Sequence, residues 1–142
     1  MTGLVLPELF ADDFAFQDPD VSLTGIQSYA AGVRRLFSSS SRAEVISCSL
    51  DPQDTTLISV AWRLSGQVNI GPGITIKPYV VETDLRLRPS DGLIVFQEDR
   101  FSIPSWDILL SAFAPWLPFL APPAPPASEL AATWVPSKSK ST

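Results

Sequence analysis

The segment from Ile74 to Arg88 dictates more about the fold than any other part of the chain. Val81, Thr83, Leu85 and Leu87 alternate there with Glu82, Asp84, Arg86 and Arg88. A period of two gives one apolar and one charged face only when the backbone is extended. Asp91-Gly92 follows as a hairpin turn, and Leu93 to Ile103 returns as a partner strand. A hairpin alone is marginal in water, so further strands and a cover for the apolar face are required. Two earlier segments supply them. Ala43 to Leu50 places Ile46, Cys48 and Leu50 on one side, and Thr56 to Ser65 places Ile58, Val60, Trp62 and Leu64 on one face. The four strands read as an antiparallel meander.

Helical patterns flank this meander. Leu4 to Phe10 reads as a short helix with Pro7 in its first turn, and Phe14 to Pro19 as a short extended piece stopped by Asp18-Pro19. Thr24 and Gln27 have the spacing of a capping box, and Ile26, Tyr29, Ala30, Val33, Leu36 and Phe37 then recur at helical spacing. The serines from Ser38 to Ser41 end that helix. A last helix opens at Ser105 and aligns Trp106, Leu109, Leu110 and Phe113. Helices set outside an antiparallel meander imply an α+β domain.

Eight of the 14 prolines lie between Pro104 and Pro136. The reading is therefore one domain over 1–120, followed by a Pro-rich tail over 121–142, largely extended or disordered. Its polyproline stretch would be a stiff spacer holding Trp134 away from the domain, and the final polar run from Ser137 would fray. Trp106 to Leu120 is too apolar to remain in water. Residues 105–114 are expected to pack on the domain, and Trp116 and Phe119 are the candidate contacts for a partner.

Composition bears on chemistry mainly by exclusion. The 142 residues contain no histidine, which removes Ser-His-Asp triads, Cys-His pairs and histidine-ligated zinc. A single cysteine cannot form an intrachain disulfide; Cys48, within an alternating run, is expected to be a small buried hydrophobe. The net charge of −5 opposes binding to a phosphate backbone, so no nucleic-acid partner is expected. Met1 to Phe10 has neither the basic start nor the apolar run of a signal peptide, and no Arg-rich transit peptide is visible. Residues 108–128 carry no charge, but six prolines interrupt them, so no membrane span is expected. Asp12, Asp13, Asp18 and Asp20 lack the spacing of a calcium loop and read as turn and cap residues; no metal site and no cofactor is expected.

Three local patterns resemble the nuclear transport factor 2-like superfamily. Leu9-Phe10 through Phe16-Gln17-Asp18-Pro19 is similar to its F-A-x-D-x-x-F-x-D-P opening. Gly25-Ile26-Gln27-Ser28-Tyr29 is similar to the G-x-x-x-Y/F start of its cone-closing helix. Gly92-Leu93-Ile94 with Gln97, Asp99 and Phe101 resembles its G-x-I-x-x-H-x-D-x-W closing strand, with glutamine and phenylalanine where histidine and tryptophan are frequent. Leu6-Pro7-Glu8-Leu9-Phe10 resembles a plant and cyanobacterial branch, often plastid-targeted. A plastid location is suggested by that resemblance alone; otherwise the cytoplasm is expected. The resemblance spans about residues 6–107. It implies a strongly curved sheet closed into a cone by N-terminal helices, the first of them shortened here. It also brings in SnoaL-like and ketosteroid isomerase-like relatives that use pocket acids.

The resemblance makes the face of Val95, Gln97, Asp99 and Phe101 the concave one, with Phe16, Tyr29 and Trp62 lining the same space. Two readings stay open: a small-ligand pocket, or core aromatics around a hydrogen-bonded Asp99. Asp99 as a general base needs burial to raise its pKa, whereas Arg100 and Arg63, close in sequence or strand, would hold it down. The row Glu82, Asp84, Arg86 and Arg88 is either a solvated convex face or, as the resemblance implies, half of a sheet-to-sheet homodimer. The functional expectation is a non-catalytic module for a small apolar ligand or a protein partner. The alternative is an isomerase- or cyclase-like enzyme using Asp99.

Overall fold

The computed structural model describes residues 5–136, so the terminal run from Ser137 and the Leu4 end of the first expected helix lie outside the described residues. That helix is a single 3₁₀ turn at Pro7–Leu9. The chain passes directly into strand β1 (Phe10–Gln17), whose Phe14 and Phe16 are buried. β2 (Ser22–Thr24) turns back on it, with Asp18 Oδ1 accepting the amides of Asp20 and Val21. Thr24, expected as a helix cap, is the last residue of β2. Gly25 takes the cap position at φ 86°, a left-handed geometry that favours glycine, and its N–H donates to the Phe14 carbonyl. Helix α1 (Ile26–Leu36) follows.

The meander is β3 (Arg42–Leu50), β4 (Leu57–Val68), β5 (Ile74–Leu87) and β6 (Ile94–Phe101). The sheet order is β2-β1-β6-β5-β4-β3. The meander is antiparallel throughout, and the sheet is mixed because β1 runs parallel to β6. Register shifts at Val45/Ser47, Leu64/Gly66 and Arg86/Leu87 bend the long strands, as bulges do. At Gly66 (φ 128°) a Cβ would lie 2.4 Å from Ser41 Cα, so the bend admits no side chain there.

The bulge in β3 overturns one expectation. Ile46 is the extra residue between the pairs Val45–Trp62 and Ser47–Ala61, so it shares the side of Ala61 rather than that of Cys48. Cys48 is exposed, not buried, because β3 is an edge strand with little covering this end of it. The concave core joins Leu64, Val68, Ile74, Ile76, Tyr79, Val81 and Ile108, the last from α2 (Ser105–Phe113).

On the convex side Ile46, Ala61 and Val80 are covered by Ala124, Ala127, Leu130 and Trp134. This differs from the spacer expected of the tail. Residues 127–133 form helix α3 (Ala127–Thr133), and Trp134 lies against the sheet instead of away from it. Polar contacts hold the strap that leads there. Asp107 pairs with Lys77 and accepts the Ala121 amide at 2.9 Å, Ala124 N–H donates to the Pro78 carbonyl, and Arg63 donates to the Pro125 carbonyl. Among the described residues no helix is long and apolar enough to cross a membrane.

Candidate functional site

Alternation along β6 sends Gln97, Asp99 and Phe101 to the concave face, and the sheet register carries that row across the cone. Asp99 lies opposite Thr83, and Phe101 opposite Val81, itself opposite Trp62. β1 brings Phe16 beside Gln97, and α1 lowers Tyr29 onto Phe16 with ring centres 4.7 Å apart. Between the sheet, α1 and α2 lies an open-ended cavity of about 380 Å³. Of the six residues expected to line it, Phe16, Tyr29, Trp62, Asp99 and Phe101 do so, and Gln97 sits immediately behind them.

A hydrogen-bonded chain crosses the back wall. Trp62 Nε1 donates to Thr83 Oγ1 at 2.8 Å, and Thr83 Oγ1 donates to Asp99 Oδ1 at 2.7 Å. Gln97 Nε2 donates to the same Oδ1 at 3.2 Å and to the Tyr29 hydroxyl at 3.3 Å. Asp99 is only 7% exposed. Among the described residues no donor reaches its Oδ2, yet no fully enclosed side-chain polar atom there lacks a partner. Oδ2 therefore opens onto the cavity.

Burial pushes the Asp99 carboxyl up to about 6, against the opposing pull of the Thr83 and Gln97 hydrogen bonds. Burial, reinforced by the Asp99 charge, likewise pushes the Tyr29 hydroxyl up to about 12 and raises Tyr79. The arginines expected to hold Asp99 down do not prevail: Arg100 opposes burial only weakly, from the far side of the sheet. Arg100 points to the convex side, where it donates to Asp84 at 2.9 Å and to Glu98 at 3.2 Å, and Arg63 donates to Glu44 at 3.1 Å. Strand parity separates them from Asp99: Arg100 is its immediate neighbour and so faces the other way.

Thr83 and Tyr79 were not singled out from the sequence. Thr83 shares the alternating face of Val81 and Leu85, so pairing that face in register with Asp99 is the signal that finds it. Trp116 and Phe119 are 75% and 62% exposed, outside the cavity and beyond α2. No group of acidic or cysteine side chains capable of holding a metal ion occurs among the described residues.

Among solved structures, one from Catenulispora acidiphila, a ketosteroid isomerase-like fold in complex with trimethylamine, matches with a TM-score of 0.56 and 18% identity over 79% of this chain and 84% of that one. A candidate SnoaL-like polyketide cyclase of Jannaschia matches at 0.55 and 16%, over 82% of this chain and 76% of that one. A nuclear transport factor 2-like protein of Exiguobacterium matches at 0.51 and 17%, over 68% and 80%. The fold is the nuclear transport factor 2-like cone. No protein-family model matches the sequence, and no functionally curated protein matches it. At these identities the nuclear transport factor 2-like likeness concerns the fold, which hosts unrelated activities.

Proposed function

We propose that the chain is a nuclear transport factor 2-like binding module whose concave cavity takes a small, mainly apolar ligand. One observation carries this reading: a cavity of about 380 Å³, walled by aromatic and aliphatic side chains, with a single buried carboxylate oxygen left open to it. Pockets for small molecules have this make-up, a largely apolar lining with few polar groups that fix orientation. Gly32 supplies the test. It lines the cavity from α1, and a Cβ there would meet only Leu23 Cδ1, at 3.8 Å. Wild-type protein should bind a neutral apolar fluorophore such as N-phenyl-1-naphthylamine, and Gly32→Phe should abolish binding while preserving the fold by circular dichroism. Absence of binding to the wild type overturns the reading. The exposed Trp116 and Phe119 are the surface that such a module would offer a protein partner.

A second reading has its own support in the carboxyl at about 6 and the Tyr29 hydroxyl, both hydrogen-bonded to the Gln97 amide. The Tyr29 oxygen accepts from Gln97, which leaves its proton free for an enolate oxygen. Asp99 would take a proton beside a carbonyl and return it two carbons away, leaving the substrate isomerised and the carboxylate restored. Turnover of a β,γ-unsaturated ketone that vanishes in Asp99→Asn and falls in Tyr29→Phe would replace the binding reading with this one.

A further inference from the structure

The walls of the cavity discriminate by charge as well as by shape. Asp18, Asp20 and Asp99 line it, and no lysine or arginine does. Two of these carboxylates have structural duties at the rim. Asp18 receives the Asp20 and Val21 amides, and Asp20 accepts from the Ser105 hydroxyl. Asp99 differs, because it lies at the back with Oδ2 open to the cavity and with the guanidinium of Arg100 on the other side of the sheet. Around it stand the rings of Trp62, Tyr79, Phe101 and Tyr29. Ring faces are negative, and a desolvated cation over them is stabilised beyond its burial. A neutral occupant would remove water from Oδ2 and give that oxygen no partner, so it binds more weakly than a cation of the same shape, and an anion would meet three like charges.

Building on the binding reading above, we infer that the cavity takes an organic ammonium cation with an apolar body, its charged nitrogen against Asp99 and its substituents against the aromatic walls. Quaternary and protonated tertiary amines share the required chemistry, a diffuse positive charge carried on carbon.

The probes are benzyltrimethylammonium and its uncharged carbon isostere, neopentylbenzene, which differ in charge and hardly in shape. Each is titrated against the full chain by tryptophan fluorescence, with melting followed in parallel. The ammonium should bind at least about tenfold more tightly than the isostere. In Asp99→Asn that preference should fall to within about twofold. Equal binding of the two probes by wild type overturns the inference and leaves the binding reading standing. Failure of both probes and of the neutral fluorophore overturns both. An undiminished preference in a folded Asp99→Asn removes Asp99 from the site and overturns the inference.

Should Asp99→Asn not fold, pH gives the same information on the wild type, since the quaternary probe cannot titrate. The preference should be full at pH 8 and shrink at pH 5, as Asp99 takes up a proton. Facing Asp99 are Asp18 from the turn after β1, Tyr29 from α1, Trp62 from β4, Tyr79 and Thr83 from β5, and Gln97 from β6. The tyrosines do not ionise in that window. A preference unchanged between pH 8 and pH 5 overturns the inference.

Discussion

Asp99 sets up an opposition between stability and site chemistry. Its carboxyl sits at about 6 in the folded protein, against 3.8 for an unperturbed aspartate. The native state therefore holds this proton more tightly than the unfolded chain. Between pH 4 and pH 6 the native state binds the extra proton, so this group's contribution to stability falls as pH rises through that window. At neutral pH the ionised, buried carboxylate costs on the order of 2–3 kcal/mol. Asp99→Asn removes the titration, so in urea melts the variant should gain on wild type by about 2 kcal/mol between pH 4.5 and pH 7. An unchanged difference across that range would mean that the carboxyl titrates normally. Asp107 behaves in the opposite way. The Ala121 amide and then Lys77 hold its carboxyl below the usual range, because both favour the charged form. Asp107→Asn should accelerate amide exchange at Ala121 and Ala124, where the strap leaves α2, and leave the amides of β5 and β6 protected.

Among the elements, the bent strands β4 and β5 shape the cone. The bend depends on Gly66, whose φ of 128° and contact with Ser41 both exclude a side chain. Gly66→Ala should cost about 1–3 kcal/mol in denaturant melts, the strain expected of an L-residue forced into such geometry. A loss below about 0.5 kcal/mol would show that Ser41 yields freely. Strand parity was legible in β5 and β6, because apolar and charged residues occupy opposite faces there without interruption. It was enough to place Gln97, Asp99 and Phe101 together. The same rule failed in β3, where one extra residue at Ile46 reverses the side of everything after it. A bulge leaves no mark in hydrophobicity alone. The parallel union of β1 with β6 was not legible either. Phe10-Ala-Asp-Asp-Phe-Ala-Phe carries its apolar residues at helical and at strand spacings together, and the partner that decides between them lies some eighty residues away. Short α3 was hidden by flanking prolines, and it exists because Leu130 and Trp134 have the Ile46–Ala61–Val80 surface to cover.

For the molecule as a whole, the two faces of the sheet are divided between two covers. α1 and α2 leave a cavity on the concave side, while the strap and α3 close part of the convex side. Truncation after Leu120 should expose Ile46, Ala61 and Val80, lower the melting temperature and shift the chain toward self-association, read by light scattering after size exclusion. A truncated chain that melts and elutes like the full one would mean that the strap contributes no cover.

Among the described residues the first strand, β1, lies beside the last, β6, with Phe16 paired to Gln97. On a ribosome, β3 to β5 can zip together as successive hairpins and β2 can fold onto β1, while the other edge of β1 waits because β6 has not yet been made. Closing so long a loop carries an entropic cost that local hairpins avoid, and contacts of this range slow folding. Phe16 and Tyr29 are anchored by that late union, so their wall of the cavity cannot be in place before β6 is made. A nascent chain halted before Ile94 should hold β3 to β5 and yet be unable to bind ligand.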